Sequence, residues 1–497
     1  MSATHLLVLV HGMWGNPIHL SELHRIIQEV KSEPSEDGTR LEVLLANTNS
    51  EEHTYDGIDW GGERVAQEIA KRVEDLEAKG DHVTKFSITG YSLGGLISRY
   101  VIGILHQQGF FEKITPVNFN TVATPHLGLL RYDSFWSSLS HSLGPRLLSR
   151  TGEQFYFVDK WSAKGRPLLE VMADPERVFY QALQTFKHIR IYGNAINDLT
   201  VPYLTACIEL DDPFADYENT GLTVEYDDKY SPLIRSWDLP AEPPAREPKP
   251  KPLTVAWIKQ FRLPRIPLPP RLAQFPYNVI FYVSFPVIVP LFFSLVLMRL
   301  TMSAHKSRRR IKLLEADPSK ISSGETLMQV VARLEKDVED AVADMMENPE
   351  EGSDGGGPEV SDDESARVGN GVLQAIDFKS LQASDDTLAQ ANGVLLDKES
   401  GQPQKRKWCM KKQRRQSIHG SQPKSVARSQ PKSVARIAPL QRKMAANLNA
   451  LPIQKERAFI ENVRNSHAVI ISRDVKNFEW HRRGEGVIRH WADSFEL

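Results

Sequence analysis

Five residues, Gly90-Tyr91-Ser92-Leu93-Gly94, constrain this chain more than any other stretch. They read Gly-x-Ser-x-Gly. An apolar, strand-like run from Val83 to Thr89 leads into them, and a helix-like run from Leu96 to Leu105 follows. A backbone that passes from strand to helix this quickly must turn sharply, and the flanking glycines give it room to do so. A serine at the apex of such a turn holds its Oγ exposed above a sheet. The pattern alone is common, since ordinary Gly and Ser usage produces it by chance in roughly one chain in six of this size. The strand before it and the helix after it give it weight.

The surrounding sequence supplies the sheet. Strand candidates are Leu6–Val10, Leu41–Ala46, Val83–Thr89, Val117–Val122 and His188–Tyr192, with helical patterns at Ile18–Val30, Gly61–Lys79 and Leu93–Gln107. Strands alternating with helices predict an α/β fold, a mostly parallel sheet covered on both faces. The chain has 497 residues, enough for a substantial core. Its formal net charge of -2 gives no global sign of a nucleic-acid partner. Cys207 and Cys409 are too far apart in sequence to suggest a metal site or a disulfide framework, so a reducing, cytosol-facing setting is the simpler expectation. Met1–Val10 lacks a basic start and reads as leading into a buried strand rather than as a signal peptide.

A serine hydroxyl is a poor nucleophile at neutral pH. It needs a histidine to take its proton and an acid to orient that histidine. Where the serine sits on a strand-to-helix elbow, the chain order is serine, then acid, then histidine. Asp198 is the favoured acid, because Ile191–Tyr192 is strand-like and Gly193–Asn197 turn-like before it; Asp159, Asp174 and Asp211 are rivals. His467, just ahead of an Ala-Val-Ile-Ile-Ser run, is the favoured base, with His490 as its rival and His481 also in the folded tail. Two backbone N–H groups must face the developing oxyanion. Leu93, directly after the serine, and Met13, in the His11-Gly12-Met13-Trp14-Gly15 turn after the first strand, are the candidates. His11 reads as a residue that orients this loop. No metal or organic cofactor is called for.

Three motifs in order carry a resemblance: Leu6–Val10 with His11–Gly15, then Thr89–Gly95, then Asn120-Thr121-Val122-Ala123-Thr124-Pro125-His126-Leu127-Gly128. They resemble the putative serine esterase family of α/β-hydrolase lipases, and within it the fungal lipid-droplet phospholipases. The likeness covers roughly residues 4–235 and 448–497. It implies an α/β-hydrolase fold and gives Ser92, Asp198 and His467 the triad roles.

The rest of the chain departs from that pattern. Residues 1–239 read as the main hydrolase part, and 240–276 as a Pro-rich basic linker. Residues 277–300 are apolar and long enough to meet a bilayer. Residues 301–347 include an amphipathic helical pattern over Ser323–Met346. Residues 348–437 read as a disordered insert with a basic cluster around 405–415 and an octamer, Ser-Gln-Pro-Lys-Ser-Val-Ala-Arg, starting at Ser421 and again at Ser429. Residues 438–497 return to the hydrolase domain, with strands expected at Ala458–Val463 and Ala468–Ser472 and a helix at Gly486–Phe495. Tyr132–Leu148 suits either a lid helix or an ordinary core-facing one.

Ser92 and His467 lie on opposite sides of the 277–300 segment. If both serve one site, both flanks lie on the same side of the membrane, which predicts a membrane hairpin bent near Pro286 and Pro290 and excludes a single span. The combined expectation is a serine lipid hydrolase that cleaves acyl esters of glycerophospholipids at a membrane or lipid-droplet surface. Its setting would be the lipid droplet, the endoplasmic reticulum membrane or both, with the catalytic domain facing the cytosol. The expected partners are a lipid substrate and that lipid surface. A neutral glyceride lipase, a protein deacylase and a non-catalytic membrane adaptor with a hydrolase fold remain alternatives, and the sequence does not set an oligomeric state.

Overall fold

Leu6 to Val10 are all apolar and all buried, which a strand achieves only when both faces of its sheet are covered. In the computed structural model, which describes residues 2–162, 164–240, 277–316 and 435–497, this run lies within strand β1 (Ser2–Val10). The sheet continues with β2 (Arg40–Leu45), β3 (Asp81–Tyr91), β4 (Thr115–Val122), β5 (His188–Asn194) and β6 (Ile453–Ala458). Its order is β6-β5-β4-β3-β1-β2, and every pairing is parallel. The strand alternation of β1 sorts its side chains. Leu6, Val8 and Val10 enter one hydrophobic cluster and Leu7 and Leu9 the other.

The first cluster is closed by helices α1 to α3 only in part: α2 (Ile58–Glu77) and α3 (Leu93–Gln107) cover it, whereas α1 (Ser21–Val30) covers the second face. The strand order reverses between β1 and β3. The crevice beyond the carboxyl ends of these two strands is where an open α/β sheet places its ligands. The loop after β1 carries His11–Gly15 and the turn after β3 carries Ser92, so both flank this crevice.

The five strands expected ahead of residue 195 are all present, and the fold is the expected α/β-hydrolase. The C-terminal part differs in register. The sixth strand is Ile453–Ala458, not Ala458–Val463, and it pairs with Ile189–Asn194 at the sheet edge. Its sequence, Ile-Gln-Lys-Glu-Arg-Ala, shows no apolar alternation because an edge strand is only partly covered. Ala468–Ser472 is a series of turns, not a strand. Val469, Ile470 and Ile471 are buried by tertiary packing in the second cluster, and Ser466 O accepts from the N–H groups of Val469 and Ile470. A buried turn and a buried strand share the same apolar signature.

Two helices on the outer side define how the domain presents itself. Helix α4 (Phe135–Leu147) buries only Gly144, so the core-facing alternative fails; Phe135 and Trp136 are exposed. The short helix α5 (Ser149–Phe155) follows it. Helix α6 (Tyr277–Ala316) is continuous over 40 residues. The expected hairpin bend at Pro286 and Pro290 is therefore corrected. The two prolines are four apart, so their missing backbone bonds fall on one side of the helix, and the helix runs through them. None of the apolar window of α6 is buried in protein, so it is not a core helix.

The second half of α6 docks. Ser303, Ala304, Ser307 and Ile311, at helical spacing, are buried against α4, α5 and the 51–55 turn. Ser149 Oγ donates to Ser307 Oγ at 3.1 Å. Arg310 donates to Asp56 Oδ1 and to the Glu52 carbonyl, each at 2.8 Å. The amphipathic pattern at 323–346, the linker from 241 to 276 and most of the 348–437 insert, with its basic cluster and octamers, lie outside the described residues.

Helices α7 (Pro439–Asn449) and α8 (Glu485–Asp493) complete the domain from the chain's end. Trp491 of α8 is 2 % exposed and its Nε1–H donates to Thr89 Oγ1 at 3.2 Å, directly before the elbow. Replacing Trp491 by Ala should lower the unfolding free energy by about 3–5 kcal/mol. Urea denaturation checks this, and a loss below about 1 kcal/mol would mean that the tail does not share the core.

Candidate active site

The elbow sets Ser92 in an unusual backbone state, φ 56° and ψ -125°. A non-glycine residue adopts positive φ only when its surroundings hold it there. Ser92 N–H donates to Val122 O at 2.9 Å, which ties the turn to the end of β4. Close packing does the rest. A β-carbon on Gly94 would lie 2.1 Å from Val10 O, and one on Gly12 would lie 2.7 Å from Ser92 Cβ and 3.2 Å from Ser92 Oγ. Only glycine lets the loop after β1 pass this close to the hydroxyl.

Ser92 Oγ lies 3.0 Å from His467 Nε2. His467 Nδ1 lies 2.9 Å from Asp198 Oδ2. An ionised carboxylate can only accept, so Nδ1 carries the proton and Nε2 is free to accept from the serine hydroxyl. Asp198 is buried, which by itself raises its pKa. His467, the Val201 N–H and the Asn194 amide oppose burial and hold the carboxyl below its ordinary value. Its oxygens are well supplied with donors: Asn194 Nδ2 at 2.8 Å, Thr200 N–H at 2.9 Å and Val201 N–H at 2.8 Å. Ser92 and His467 are themselves 7 % and 8 % exposed, so the hydroxyl–imidazole pair is nearly dry but reachable.

Two loops from distant parts of the chain are stitched together to make this contact. Ser466 N–H donates to Asn197 O at 2.9 Å, and Ser466 Oγ–H to Ile196 O at 2.8 Å. Asn465 Oδ1 accepts from Leu199 N–H at 3.3 Å and from His467 N–H at 3.2 Å. Tyr91, inside the elbow, donates its hydroxyl proton to His467 O at 2.9 Å. Sequence reasoning did not single out Tyr91, Asn194 or Asn465. The position of Tyr91 beside Ser92 and of Asn194 at the end of β5 were the available signals.

The rivals lie elsewhere. His490 Nδ1 is paired with the Tyr192 hydroxyl at 3.0 Å, and His481 Nδ1 accepts from Asp474 N–H at 3.0 Å. Asp159 accepts from Leu168 N–H, Asp174 pairs with Arg166, and Asp211 is exposed. His11 is buried, its Nε2 3.2 Å from Ser50 Oγ, which fits a role in orienting its loop. Leu93 opens α3, where position alone leaves the first N–H groups of a helix without an intrahelical acceptor. Met13 lies in the 12–15 turn, closed by Gly15 N–H donating to Gly12 O at 3.1 Å. Among the described residues no cluster of His, Cys, Asp and Glu suits a metal ion.

A serine, a histidine and an aspartate joined in that order beyond the carboxyl edge of a parallel sheet define an α/β-hydrolase. Residues 1–209 match the sequence profile of the family described as Putative serine esterase (DUF676). It is 30% identical over 211 residues to "Putative lipase C4A8.10" of Schizosaccharomyces pombe, covering 42% of this chain and 26% of that protein. It is 28% identical over 238 residues to "Putative lipase ROG1" of Saccharomyces cerevisiae, covering 48% and 33%. The chain thus spans a quarter to a third of the length of these curated relatives. An extracellular α/β-hydrolase from a Paenibacillus species is similar at 15% identity over 40% of this chain and 80% of that one, with a TM-score of 0.22. At that score the superposition adds nothing to the strand order and the elbow, which define the fold.

The depressed Asp198 pKa has a consequence for stability. A carboxyl held below its unfolded value stabilises the fold above that value, 3.8, and loses the contribution as pH falls through its folded value. Wild type should therefore exceed Asp198→Asn in stability near neutral pH, and the gap should close below pH 3.8. Urea melts of both proteins across acid pH check this; a gap that widens on acidification would contradict it.

Proposed function

We propose that this chain is a serine hydrolase that cleaves acyl esters of glycerophospholipids at the cytosolic face of a membrane or lipid droplet. The observation that carries the chemistry is the continuous contact from Ser92 Oγ through His467 to buried Asp198. His467 takes the serine proton as Oγ attacks the acyl carbon. The tetrahedral oxyanion is held by the Leu93 and Met13 N–H groups. His467 then protonates the departing alcohol oxygen. Water, deprotonated by the same imidazole, releases the fatty acid from the acyl-serine, and Asp198 stabilises the imidazolium in both halves. An adaptor that merely keeps the fold would have no need of this aligned set.

The lipid surface is argued from α6. An 18-residue apolar window within Val283–Glu315 has mean hydropathy 2.1, and none of that window is buried in protein. Val283, Val287, Phe292 and Phe293 are each more than half exposed, and a lipid phase is the solvent that suits them. Connectivity limits how the helix enters. Residue 240 and the docked half of α6 both belong to the hydrolase side. If α6 crossed a bilayer, residues 241–276 would have to cross back. They carry Glu242, Arg246, Glu247, Lys249, Lys251, Lys259, Arg262, Arg265 and Arg271 among prolines, which the hydrocarbon core does not accept. The helix is therefore an in-plane or tilted insertion in one leaflet or one droplet monolayer, with both ends at headgroup level. Exposed Phe135 and Trp136 on α4, which packs against α6, add aromatic side chains suited to an interface.

This placement holds the elbow beside headgroups and favours phospholipid over a soluble ester. Incubation with phosphatidylcholine vesicles should release free fatty acid and lysophospholipid, and Ser92→Ala should lower the rate by at least about 10³-fold. Hydrolysis of triacylglycerol emulsions alone would overturn the phospholipid assignment. Equal activity of Ser92→Ala would overturn the hydrolase assignment itself.

A further inference from the structure

The loop that supplies Met13 is held by four contacts to a single neighbouring segment. His11 Nε2 meets Ser50 Oγ at 3.2 Å, and Glu51 N–H donates to Gly15 O at 2.9 Å. Trp14 N–H donates to Thr54 Oγ1 at 3.2 Å, and Trp14 Nε1–H to the Tyr55 hydroxyl at 2.8 Å. Trp14 needs this support. Its φ is 53°, a conformation that bulky L residues rarely adopt. Its indole is 54% exposed, so core packing does not hold it. The Met13–Trp14 peptide therefore takes its orientation from the 50–55 segment, and it adjoins the Gly12–Met13 peptide, which carries the Met13 N–H.

That segment is gripped from its other side by α6. Arg310 donates to Glu52 O and reaches both carboxylate oxygens of buried Asp56, at 2.8 and 3.2 Å. Lys306 Nζ lies 3.3 Å from Glu52. Ser303 hydrogen-bonds with the Tyr55 hydroxyl. A chain of direct contacts thus runs from the base of the lipid-facing helix, through Tyr55, to the residue after Met13.

We propose that Tyr55 and Arg310 are positioning residues for ester hydrolysis, holding the His11–Gly15 loop so that the Met13 N–H faces the oxyanion, and that α6 is thereby part of the catalytic apparatus as well as the lipid anchor. This rests on the serine-hydrolase reading above. It also gives the docked half of α6 a role that lipid binding alone does not require.

The test uses the full chain in detergent micelles and a water-soluble ester, p-nitrophenyl butyrate, so that lipid docking does not enter the measurement. Tyr55→Phe removes one hydroxyl and leaves the ring. It should lower kcat about tenfold, less than the loss of a whole oxyanion donor, with KM within about twofold and the melting temperature unchanged. Covalent labelling of Ser92 by a fluorophosphonate should slow by a similar factor, because that reaction also develops charge toward the loop. Arg310→Ala should lower kcat at least as far, and Arg310→Lys, whose ammonium still reaches Asp56, should recover part of it. A folded Tyr55→Phe protein with kcat within about twofold of wild type would overturn the proposal, whatever Arg310→Ala does. If wild type itself neither hydrolyses the ester nor labels, the hydrolase reading fails first; turnover that disappears in Ser92→Ala shows that reading sound and leaves the variants to decide this one.

Discussion

The parallel pairing of Ile453–Ala458 with Ile189–Asn194 brings the last fifty residues of the chain into the sheet that carries the elbow. The loop leaving β5 bears Asp198, and the stretch leaving β6 bears His467. Adjacent parallel strands deliver their following loops to the same edge, so one ladder aligns two of the three functional side chains. Ser466 then locks the loops together through Asn197 and Ile196. Without this edge pairing, Ser92 would sit on a well-formed elbow with no base within reach.

The same ladder underlies the proposed lipid contact. Because β5 and β6 are neighbours, the chain makes an excursion, leaving the sheet after Asn194 and rejoining it at Ile453. The apolar half of α6 belongs to that excursion, and charged sequence on its N-terminal side prevents a return through hydrocarbon. The monotopic insertion proposed above rests on connectivity rather than on hydropathy, which by itself suits a spanning helix equally well. The polar half of α6 rests, through Arg310, on the segment that contacts the His11–Gly15 loop, and the proposed positioning role follows from these contacts.

Much of this was legible in the sequence, for identifiable reasons. The five strands expected ahead of residue 195 are bounded by clear breaks, and Leu6–Val10 of β1 is wholly apolar because both faces of the sheet are covered. Ser92 and its strand-turn-helix setting were readable because the elbow demands small residues at fixed offsets. Asp198 was singled out after a strand-like run and His467 just ahead of one, and the structure brings the two side chains to 2.9 Å. The sixth strand was displaced because Ile-Gln-Lys-Glu-Arg-Ala lies at an edge and shows no alternation. Val469–Ile471 imitated a strand because irregular backbone can be as deeply buried as regular backbone. The hairpin was expected because proline disrupts a helix, yet two prolines four apart leave a continuous one. The 50–55 segment has no motif at all; its importance comes only from what packs on either side of it.

The central claim is that Ser92 is a nucleophile activated by His467 from the far end of the chain. Reaction of the full-length protein with a fluorophosphonate, followed by mass spectrometry of the modified peptides, tests it most directly. The expected result is a single adduct on Ser92 in wild type, its loss in His467→Ala, and its retention in His490→Ala. An adduct on another serine, or unimpaired labelling of Ser92 in His467→Ala, would contradict it.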